Sequence, residues 1–476
     1  MTKFGLDFGT TNSSISLNTD GRVALLNIDQ NAPDPSVIRS ALYFFPRKLV
    51  ISNKVTQEQI ASNTFMASQI HYEGEVKNLI GAEAITQYLQ DNKNKTSGVR
   101  RKVYTGRKHE LITWTNPYSG RVYKEWFPEF YEEVDFGTGR LLHALKTALK
   151  SPLYKRTTIY GDFYSLENLI AILIREIKER AENLAGQEIK EITCGRPVHF
   201  SDDGKKDELA SNRLAEALKL AGFERTNFEY EPIGAAKYFL SKRKTKKEKI
   251  LVFDFGGGPL DTAIVEFDNG FKVLATDGVY IGGNLLNSRI FQAKLGDYFG
   301  KIITYGDSQL PMPKHFNESL NSWFAIPNLN NPEDMNFLRS GARYHNTDLA
   351  ALDRLVYLIE MNLGFEIYEA IEIAKKELSE KPASNIIYKD GPIDIDVSIT
   401  KTEFEEIIND DVLKIKQTVL TTLEKAELEP EQISVVVRTG GSSLIPAVEQ
   451  MLVSIFGTSK VQLFDTFTSI AAGLSL

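Results

Sequence analysis

The chain has 476 residues, of which 42% are hydrophobic and 25% are charged, a composition typical of globular proteins. The 63 acidic and 56 basic residues give a formal net charge of -7, which disfavours nucleic acid as the main partner. No apolar run reaches the ~18 residues that span a bilayer, and the N-terminal MTKFGLDF does not resemble a secretory signal. Because Cys194 is the single cysteine, no internal disulfide is expected, which fits a reducing, cytoplasmic location.

An apolar strand, an aspartate and a glycine-rich turn occur twice, as GLDFGTTNSS at residues 5–14 and as VFDFGGGPLD at residues 252–261. Each stretch lies between β-rich segments, so each predicts a hairpin. One such hairpin is most often an ordinary tight turn. Two of them in one chain indicate an internal duplication, which would place one turn at the inner edge of each of two lobes.

A turn of small residues exposes successive backbone N–H groups that can cradle phosphate, and Thr10 and Thr11 add hydroxyls to the first turn. A carboxylate repels phosphate but can hold Mg²⁺ through water, because that ion keeps most of its hydration shell. Asp7 and Asp254, which end the two strands, suit that role. The hairpins therefore predict a site for a polyphosphate and its metal ion.

Two regions look like additions to this frame. Residues 96–135 are rich in aromatics, and ELITWTNPYSGRVYKEW, around Trp114, predicts a hairpin that turns at NPYSG. The preceding VRRKVYTGRKH mixes basic residues with Tyr104, a pattern that could contact single-stranded nucleic acid but is more often a solvated face. The second region, residues 305–336 around Trp323, is predicted to be loop-like.

Helices are predicted where apolar residues recur at helical spacing, in SLENLIAILIREIKERAENLA and in DLAALDRLVYLIEMNLGFEIYEAIEIAKKELS. Strands and helices are interspersed in both halves, which predicts two α/β lobes. The charged run SKRKTKKEK, residues 241–249, is predicted to be a solvated crossing between them.

Three further motifs carry polar or small side chains at defined spacings. Glu231 precedes a proline and a small-residue helix start, while Glu372, Lys375 and Ser379 are spaced to share one helix face. SVVVRTGGSS, residues 434–443, predicts a buried strand followed by small residues that let a flat group approach the backbone. Taken singly, each motif is more often a helix cap, a salt-bridged helix or a strand end.

Two other classes of phosphate-transferring enzyme lack their motifs in this chain. Protein kinases also carry a DFG sequence, but they need a G-x-G-x-x-G loop, a V-A-I-K strand and an H-R-D loop. P-loop enzymes need G-x-x-x-x-G-K-[ST]. None of these is present in the sequence, so both classes are set aside.

Together these motifs resemble the actin-like ATPase superfamily and, within it, the nucleotide-binding domain of DnaK-type heat-shock chaperones. GLDFGTTNSSISL is similar to the first phosphate loop of that family, DFGGGPLDTAIVEF to the second, and IGGNLLN to the glycine pair that follows. YEPIGAA resembles the first connecting segment, and ITCGRPVHF resembles the strand of the proline switch, here Pro197. AKKELS and GGSSLIP look like the two sides of the adenosine pocket.

The resemblance implies ATP or ADP and Mg²⁺ as ligands and assigns roles by residue. Lys146 best matches the catalytic lysine, with Lys150 as the alternative, and Glu231 would position the attacking water or the hydrated metal. Asp7 and Asp254 would hold Mg²⁺ through water. The residues implied around the phosphates, the metal and the water are Asp7, Gly9, Thr10, Thr11, Asn12, Asp254, Gly256, Gly257, Gly258, Asp261, Gly282 and Gly283. Those implied around the nucleoside are Glu372, Lys375, Lys376, Ser379, Gly440, Gly441 and Ser442.

The chain departs from the family pattern in three places. Pro259 stands where the family has a threonine in its second loop, so one phosphate contact is lost and slow hydrolysis is expected. Lys376 and Leu444 replace the two arginines that sandwich adenine, which changes how the ring is held. The sequence ends at Leu476 without a linker or peptide-binding domain, so it looks most like the truncated, YegD-type relatives of DnaK.

The predicted fold is a two-lobed actin-like ATPase fold of duplicated ribonuclease-H-like domains, with a nucleotide cleft between the lobes and an inserted subdomain in each. Lobe I is predicted at residues 1–242, with its core at 1–40 and 156–242 and an insert at about 41–155. Lobe II is predicted at 243–476, with its core at 243–284 and 386–460 and an insert at about 285–385. Residues 461–476 are predicted to return to lobe I.

The expected function is an ATP- and Mg²⁺-dependent switch of the DnaK-type chaperone family, with weak ATPase activity coupled to lobe closure. Expected partners are a J-protein or a nucleotide-exchange factor, and a protein client that the sequence does not identify. No membrane partner is expected. Two alternatives stay open at this point: a sugar-kinase-type phosphotransferase and an actin-like filament protein.

Overall fold

The computed structural model describes residues 2–93, 99–115, 119, 121–135, 138–154, 156–243, 247–268, 270–340, 344–345, 349–465 and 468–476. Strands and helices alternate through these ranges, which confirms the α/β class. None of the helices in the described ranges combines the length and the apolar character that crossing a bilayer requires.

The first half of the chain contains sixteen strands and six helices among the described residues. The strands are β1 (Thr2–Phe8), β2 (Asn12–Thr19), β3 (Arg22–Leu25), β4 (Ile38–Arg39), β5 (Ala41–Phe44), β6 (Lys48–Ile51), β7 (Thr64–Met66), β8 (Ile70–Glu73), β9 (Asn78–Ile80), β10 (Val99–Thr115), β11 (Val122–Asp135), β12 (Arg140–His143), β13 (Thr157–Ile159), β14 (Asp162–Tyr164), β15 (Glu191–Arg196) and β16 (Arg225–Tyr230). The helices are α1 (Gln57–Ser62), α2 (Gly81–Asn92), α3 (Leu145–Ala148), α4 (Leu166–Ala185), α5 (Gly204–Leu220) and α6 (Glu231–Ser241).

The second half contains ten strands and nine α-helices in the same described part. The strands are β17 (Lys247–Phe255), β18 (Leu260–Asp268), β19 (Phe271–Val279), β20 (Thr304–Tyr305), β21 (Leu310–Pro311), β22 (Tyr344–His345), β23 (Ala383–Asp390), β24 (Ile393–Thr400), β25 (Val435–Thr439) and β26 (Val461–Leu463). The helices are α7 (Gly283–Ile290), α8 (Lys314–Leu320), α9 (Pro332–Arg339), α10 (Leu349–Glu360), α11 (Gly364–Glu377), α12 (Lys401–Ile407), α13 (Asn409–Lys425), α14 (Pro446–Phe456) and α15 (Ser469–Leu474).

Two sheets with the same strand order form the centres of the two lobes. The first runs β16-β15-β1-β2-β3, with β4 also pairing with β2, and the second runs β26-β25-β17-β18-β19. In each sheet the aspartate-bearing strand pairs antiparallel with the next strand in the chain and parallel with a later one. Both predicted hairpins are therefore confirmed, and their matching surroundings support an internal duplication.

Each lobe has its own apolar core, and helix α4 shows how the sequence builds one. Ser165 caps the helix by accepting a hydrogen bond from the Asn168 backbone N–H, and Gly186 ends it in the left-handed conformation at φ 66°. Between these caps the helix buries one stripe of aliphatic side chains against the first sheet. The helix predicted from the apolar spacing is therefore confirmed.

The first addition is the predicted hairpin, formed by β10 and β11 in antiparallel pairing. Its tip at NPYSG falls on residues 116–120, and only residue 119 of these belongs to the described part of the chain. The second addition is not loop-like as predicted. It contains α8, the start of α9 and strand β21 of a small three-stranded sheet. The helices form because Phe316 and Leu320 in α8, and Met335 and Leu338 in α9, recur at spacings that bury one side of each.

The long helical run predicted after residue 348 is two helices, α10 and α11. The chain breaks between them at Asn362, which adopts a left-handed conformation with φ 48°. Asparagine tolerates that conformation better than most residues and commonly ends helices there. The apolar spacing continued through the break because both helices bury their apolar sides in the same core.

Segments from the two halves of the chain meet in a buried aromatic cluster. Tyr88 of α2 packs edge-on against Phe365 of α11 with ring centroids 5.5 Å apart, and Trp323 contacts Phe365 at 5.3 Å. Beside the rings, the Asn92 side-chain amide donates a hydrogen bond to Glu366 at 2.8 Å. The cluster joins the two halves of the chain at a distance from both sheets.

The last helix, α15, packs against α6 and strand β1 through glycine. A Cβ atom on Gly473 would lie 1.7 Å from the carbonyl oxygen of Gly234 in α6, and one on Gly5 would lie 2.4 Å from the carbonyl oxygen of Ala471. The Ser16 hydroxyl donates a 2.6 Å hydrogen bond to that same Ala471 carbonyl. The C-terminal segment thus contacts elements of both the first sheet and α6, while the predicted domain boundaries stay a prediction.

We expect Gly473→Ala to lower the free energy of unfolding by at least about 2 kcal/mol, because α15 and α6 cannot separate without losing buried contacts. The control is Gly204→Ala in α5, where a Cβ atom meets nothing within 4 Å. Urea denaturation of both variants beside the wild type measures the difference. Similar stabilities for the two variants would contradict the close packing of α15.

Candidate functional site

A cavity of about 500 Å³ lies between the two sheets, where the turns of both hairpins meet. Strands β1 and β17 end at it, and helices α6 and α11 border it. Most of the site residues predicted from the sequence line this cavity. Those that line it are Asp7, Gly9, Thr10, Thr11, Asn12, Lys146, Pro197, Glu231, Asp254, Gly256, Gly257, Gly258, Pro259, Glu372, Lys375, Lys376, Ser379, Gly440, Gly441, Ser442 and Leu444.

The two glycine-rich turns approach each other so closely that side chains are excluded from the second one. A Cβ atom on Gly257 would lie 2.3 Å from the Thr11 hydroxyl oxygen, and one on Gly258 would lie 2.7 Å from that of Thr10. The Thr11 hydroxyl is buried and has no hydrogen-bond partner among the described residues. Backbone N–H groups and hydroxyls therefore face a shared space in which an oxyanion could accept their hydrogen bonds.

Four buried charged groups lie beside these turns. The Lys146 ammonium donates a 2.6 Å hydrogen bond to the Glu231 carboxylate, and both side chains are buried. Asp7 and Asp254 are also buried, at the ends of the paired strands that enter the two turns. Three carboxylates thus share one ammonium group, which leaves an excess of negative charge that a cation would balance.

Burial and the neighbouring charges perturb the pKa values of these groups. Burial, and then repulsion by Glu231, raises the pKa of Asp7 well above its usual range and raises that of Asp254 to about 7. Burial works against the charge on Lys146, but Glu231 and Asp7 together raise its pKa above the usual value. The ammonium therefore stays protonated, while the aspartates resist ionisation until a cation arrives.

A protein cage for a metal ion is absent from the described ranges, in which no three His, Cys, Asp or Glu side chains are arranged so that they could hold an ion by themselves. Mg²⁺ does not require such a cage, since it is commonly held by one or two carboxylates together with water and substrate phosphates. Asp7 and Asp254 provide two carboxylates beside the orphaned Thr11 hydroxyl. The residues present therefore fit a hydrated Mg²⁺ ion.

Three predicted residues do not line the cavity. Asp261 is turned toward the segment that follows strand β15, where its carboxylate accepts a 2.7 Å hydrogen bond from the Val198 backbone N–H. Gly282 and Gly283 lie behind the second turn, since the Gly283 N–H donates a 2.9 Å hydrogen bond to the Gly256 carbonyl. They support the turn from behind, and a Cβ atom on Gly282 would overlap the Gly258 carbonyl.

The two candidate lysines lie in different places. Lys146 lines the cavity and contacts Glu231, whereas the Lys150 ammonium lies 3.0 Å from the centre of the Tyr280 ring. Burial lowers the pKa of Lys150 to about 8. Lys150 borders a much smaller recess behind Pro197 and does not line the main cavity.

At the far end of the cavity, helix α11 presents Glu372 and Lys375, which form an ion pair of 2.6 Å. Burial by itself would raise the pKa of Glu372, but the neighbouring Lys375 ammonium lowers that pKa to about 2. Ser379 lies beyond the end of the helix at Glu377, so it shares the cavity but not the predicted helix face. Opposite them, Ser442 donates a 2.7 Å hydrogen bond to the Gly256 carbonyl.

The rim of this end carries Lys376 and Leu444, both exposed, where the family resemblance expects two arginines. Sequence reasoning missed Arg39 and Asn284, which also line the cavity. Arg39 forms a 2.5 Å ion pair with Glu369 of α11, a contact between positions 330 residues apart that has no local sequence signal. Asn284 directly follows the glycine pair and could have been selected with it.

Two sheets of one strand order, with glycine-rich turns that face each other across a cavity, define the two-lobed actin-like ATPase fold. The Hsp70 protein family model matches residues 139–302 and 361–476, which is more than half of the chain. The chain therefore belongs to the Hsp70 family.

Curated relatives agree with this assignment. The chain is 26% identical over 325 residues to the chaperone protein DnaK of Thermosipho melanesiensis and 27% identical over 323 residues to that of Cyanidioschyzon merolae. Each alignment covers 66% of this chain and 44% of the relative. The chain thus spans less than half the length of the curated relatives that it matches.

We expect Asp254→Asn to stabilise the ligand-free protein in EDTA at pH 8 but not at pH 4. The fold raises the pKa of Asp254 from 3.8 to about 7, so the native state binds more protons than the unfolded state between these values. The stability of the wild type therefore falls as pH rises from 3.8 to about 7. Asp254→Asn does not lose stability in this way, because an amide does not ionise. One pKa unit corresponds to about 1.4 kcal/mol, so the gain is a few kcal/mol at most.

Calorimetric melting at the two pH values measures this effect. Asp353→Asn is the matched control, because it removes a carboxylate of the same kind from an exposed position on α10. A gain from Asp254→Asn that is the same at pH 4 and pH 8 would contradict the raised pKa.

Proposed function

We propose that this protein binds ATP with Mg²⁺ in the cavity between its lobes and hydrolyses it slowly. The observation that carries the proposal is the meeting of both glycine-rich turns with buried Asp7 and Asp254 in one cavity. Phosphate needs N–H and hydroxyl donors, and a metal–phosphate complex needs nearby carboxylates that do not touch the phosphate. Both requirements are met within this single space.

In this proposal the phosphate chain lies along the two turns. Thr10, Thr11 and the backbone N–H groups of Gly256, Gly257 and Gly258 donate hydrogen bonds to its oxygens, with Gly9 and Asn12 shaping the first turn. Asp7 and Asp254 would hold Mg²⁺ through water, and the ion would neutralise charge on the phosphate oxygens. Pro259 offers neither a hydroxyl nor an N–H at the next position, which supports slow turnover.

Lys146 and Glu231 carry the catalytic part of the proposal. Phosphoryl transfer leaves little covalent chemistry to the protein, so position and charge stabilisation decide the rate. Lys146, kept protonated by its neighbours, stabilises negative charge that develops on the transferred group. Glu231 orients the attacking water, and Asp261 acts from behind by fixing the backbone at Val198, next to Pro197.

The nucleoside end is assigned to α11 and to the turn after β25. Glu372 and Lys375 would hold the ribose hydroxyls, because a carboxylate and an ammonium there offer an acceptor and donors. Ser379, Gly440, Gly441 and Ser442 would border the base, with Lys376 and Leu444 at the rim. This end discriminates less among bases than a pair of stacked arginines would.

The proposed biological role is a nucleotide-dependent switch of the DnaK type in the cytoplasm. Elements that line the cavity also connect the lobes, since α6 bears Glu231 and packs its apolar side chains against strands β17 and β25 of the second sheet. A change in nucleotide would thereby shift the relation of the lobes. A J-protein, a nucleotide-exchange factor and a protein client are the proposed partners, by family membership alone.

Single-turnover phosphate release from ATP and Mg²⁺ tests the catalytic assignment. We expect Lys146→Ala to slow release by about 100-fold or more, because positioned charged groups contribute on that order. Lys150→Ala is the matched control, since it removes a nearby lysine that contacts Tyr280 and not Glu231. Equal rates in the wild type and Lys146→Ala would remove the lysine from the mechanism.

Calorimetric ATP binding in the same three proteins separates occupancy from hydrolysis. Tight binding without release in all of them would make nucleotide occupancy the signal. No binding by the wild type in the presence of Mg²⁺ would overturn the proposed function altogether.

We expect Leu444→Arg to tighten ADP binding by about two- to fivefold, because a guanidinium stacked on a ring at an exposed site contributes about 0.5–1 kcal/mol. Leu444 lines the cavity and is 38% exposed, so an arginine can be accommodated there. The control is Leu463→Arg, an exposed leucine of β26 that does not line this cavity. Equal affinity for the two variants would mean that the base does not lie beside residue 444.

A further inference from the structure

A second cavity, of about 390 Å³, lies in the first insert and shares no lining residue with the nucleotide cavity. Three pieces of chain enclose it: the segment that ends in β8, the β10–β11 hairpin and the turn between β13 and β14. Its volume lies within the range of small-molecule sites, which is roughly 300–1,000 Å³. The hairpin that looked like an addition in the sequence therefore forms a wall of a cavity.

The charged side chains of this cavity have a positive excess. Arg47, Arg107 and Arg156 line it together with two carboxylates, Asp162 and Glu129. Arg47 contacts Asp162 at 2.8 Å and Arg156 contacts Glu129 at 3.2 Å, so each carboxylate is already matched by one arginine. Within the part of the chain that the structure describes, the Arg107 guanidinium has no ion pair.

A bulge in β10 brings Arg107 to the cavity. The pairing with β11 shifts between Tyr104 and Lys108, and Gly106 within that interval adopts φ 84°. The Thr105 hydroxyl fixes the bulge, because it accepts a hydrogen bond from the Arg107 backbone N–H at 3.1 Å. Bulges commonly redirect a side chain out of the regular alternation of a strand. Here the redirected side chain is the arginine without an ion pair.

The other two arginines, Arg156 and Arg47, are held in place by contacts that leave some of their guanidinium N–H donors available. The Arg156 guanidinium stacks over the Phe163 ring at 4.3 Å, which leaves its in-plane N–H groups available beyond the contact with Glu129. Arg47 is fixed at two points, by Asp162 and by the Tyr72 carbonyl oxygen at 2.7 Å. A pre-positioned guanidinium loses little freedom when it binds an anion.

The floor of the cavity is aromatic and conformationally strained. Tyr160 adopts a left-handed backbone conformation with φ 49°, which is rare for a bulky residue. Its hydroxyl donates a 2.8 Å hydrogen bond to the Thr138 carbonyl, and its ring packs edge-on against Tyr72 at 5.4 Å. Strain of this kind persists where the surroundings hold it, and it concentrates at binding sites.

We propose that this cavity binds a small organic phosphate, a dianionic phosphate group attached to an apolar or aromatic body. The phosphate would accept hydrogen bonds from Arg107 and from the free edge of Arg156, while the body would lie against Phe163 and the neighbouring apolar wall at Ile70. His71 also lines the cavity. A phosphate matches this arrangement better than a carboxylate because its three terminal oxygens can accept paired hydrogen bonds from two guanidinium groups at once, whereas a carboxylate has only two oxygens.

The test is a ligand-observed NMR titration of phenyl phosphate into the full chain, with the nucleotide cavity saturated by ADP and Mg²⁺. We expect Arg107→Ala to weaken binding by about tenfold or more, because a hydrogen bond to a charged group is lost. The matched control is Lys108→Ala, which removes an equal charge from an exposed position on the same strand that does not line the cavity. Melting temperatures of both variants report that the insert stays folded.

Benzoate and phenol complete the experiment, since they carry the same ring with one negative charge and with none. We expect affinity to fall in the order phenyl phosphate, benzoate, phenol. Equal affinity of wild type and Arg107→Ala for phenyl phosphate would overturn the proposal, as would equal weakening in Lys108→Ala. The readout is the binding of phenyl phosphate while ADP blocks the nucleotide cavity, so the result does not depend on ATP hydrolysis. A failure of ADP to bind would be seen in the same titration.

Discussion

The ion pair between Lys146 and Glu231, 2.6 Å long and buried, is the contact around which the centre of the molecule is arranged. It leaves Asp7 and Asp254 in the same buried space without an ammonium of their own. Buried charge without a partner is costly, so these two aspartates resist ionisation in the ligand-free protein, and a cation would favour their charged form. The fold is therefore less stable at these buried carboxylates without a ligand, and binding of a cation there would restore stability.

The same space imposes a steric constraint that only glycine satisfies. Gly257 and Gly258 face Thr11 and Thr10 at distances that leave no room for a Cβ atom. Behind them, Gly282 lies against the Gly258 carbonyl, so the second turn is backbone packed on backbone. A site built in this way presents N–H groups instead of side chains, and its geometry follows from the two sheets that carry the turns.

The inserts give the shared frame its individual features. The aromatic cluster around Phe365 joins the two halves away from the sheets, and the hairpin encloses a cavity with Arg107 at its wall. Neither feature could be predicted from a local motif. The cluster needs the break at Asn362 to direct α11, and the arginine needs a bulge whose register depends on the partner strand.

Sequence by itself determined the repeated hairpins, the α/β class, the family and most of the cavity lining. The reason is that each hairpin motif, a strand that ends in Asp7 or Asp254 and the glycine-rich turn after it, is encoded within ten residues. Tertiary structure alone decided which residues face the cavity and which support it. Asp261 lies directly opposite Asp254 in the same hairpin, yet its carboxylate turns to the Val198 backbone. Arg39 has no signature at all, yet it reaches Glu369 across the cavity. Long-range packing sets these orientations, and spacing along the chain cannot encode them.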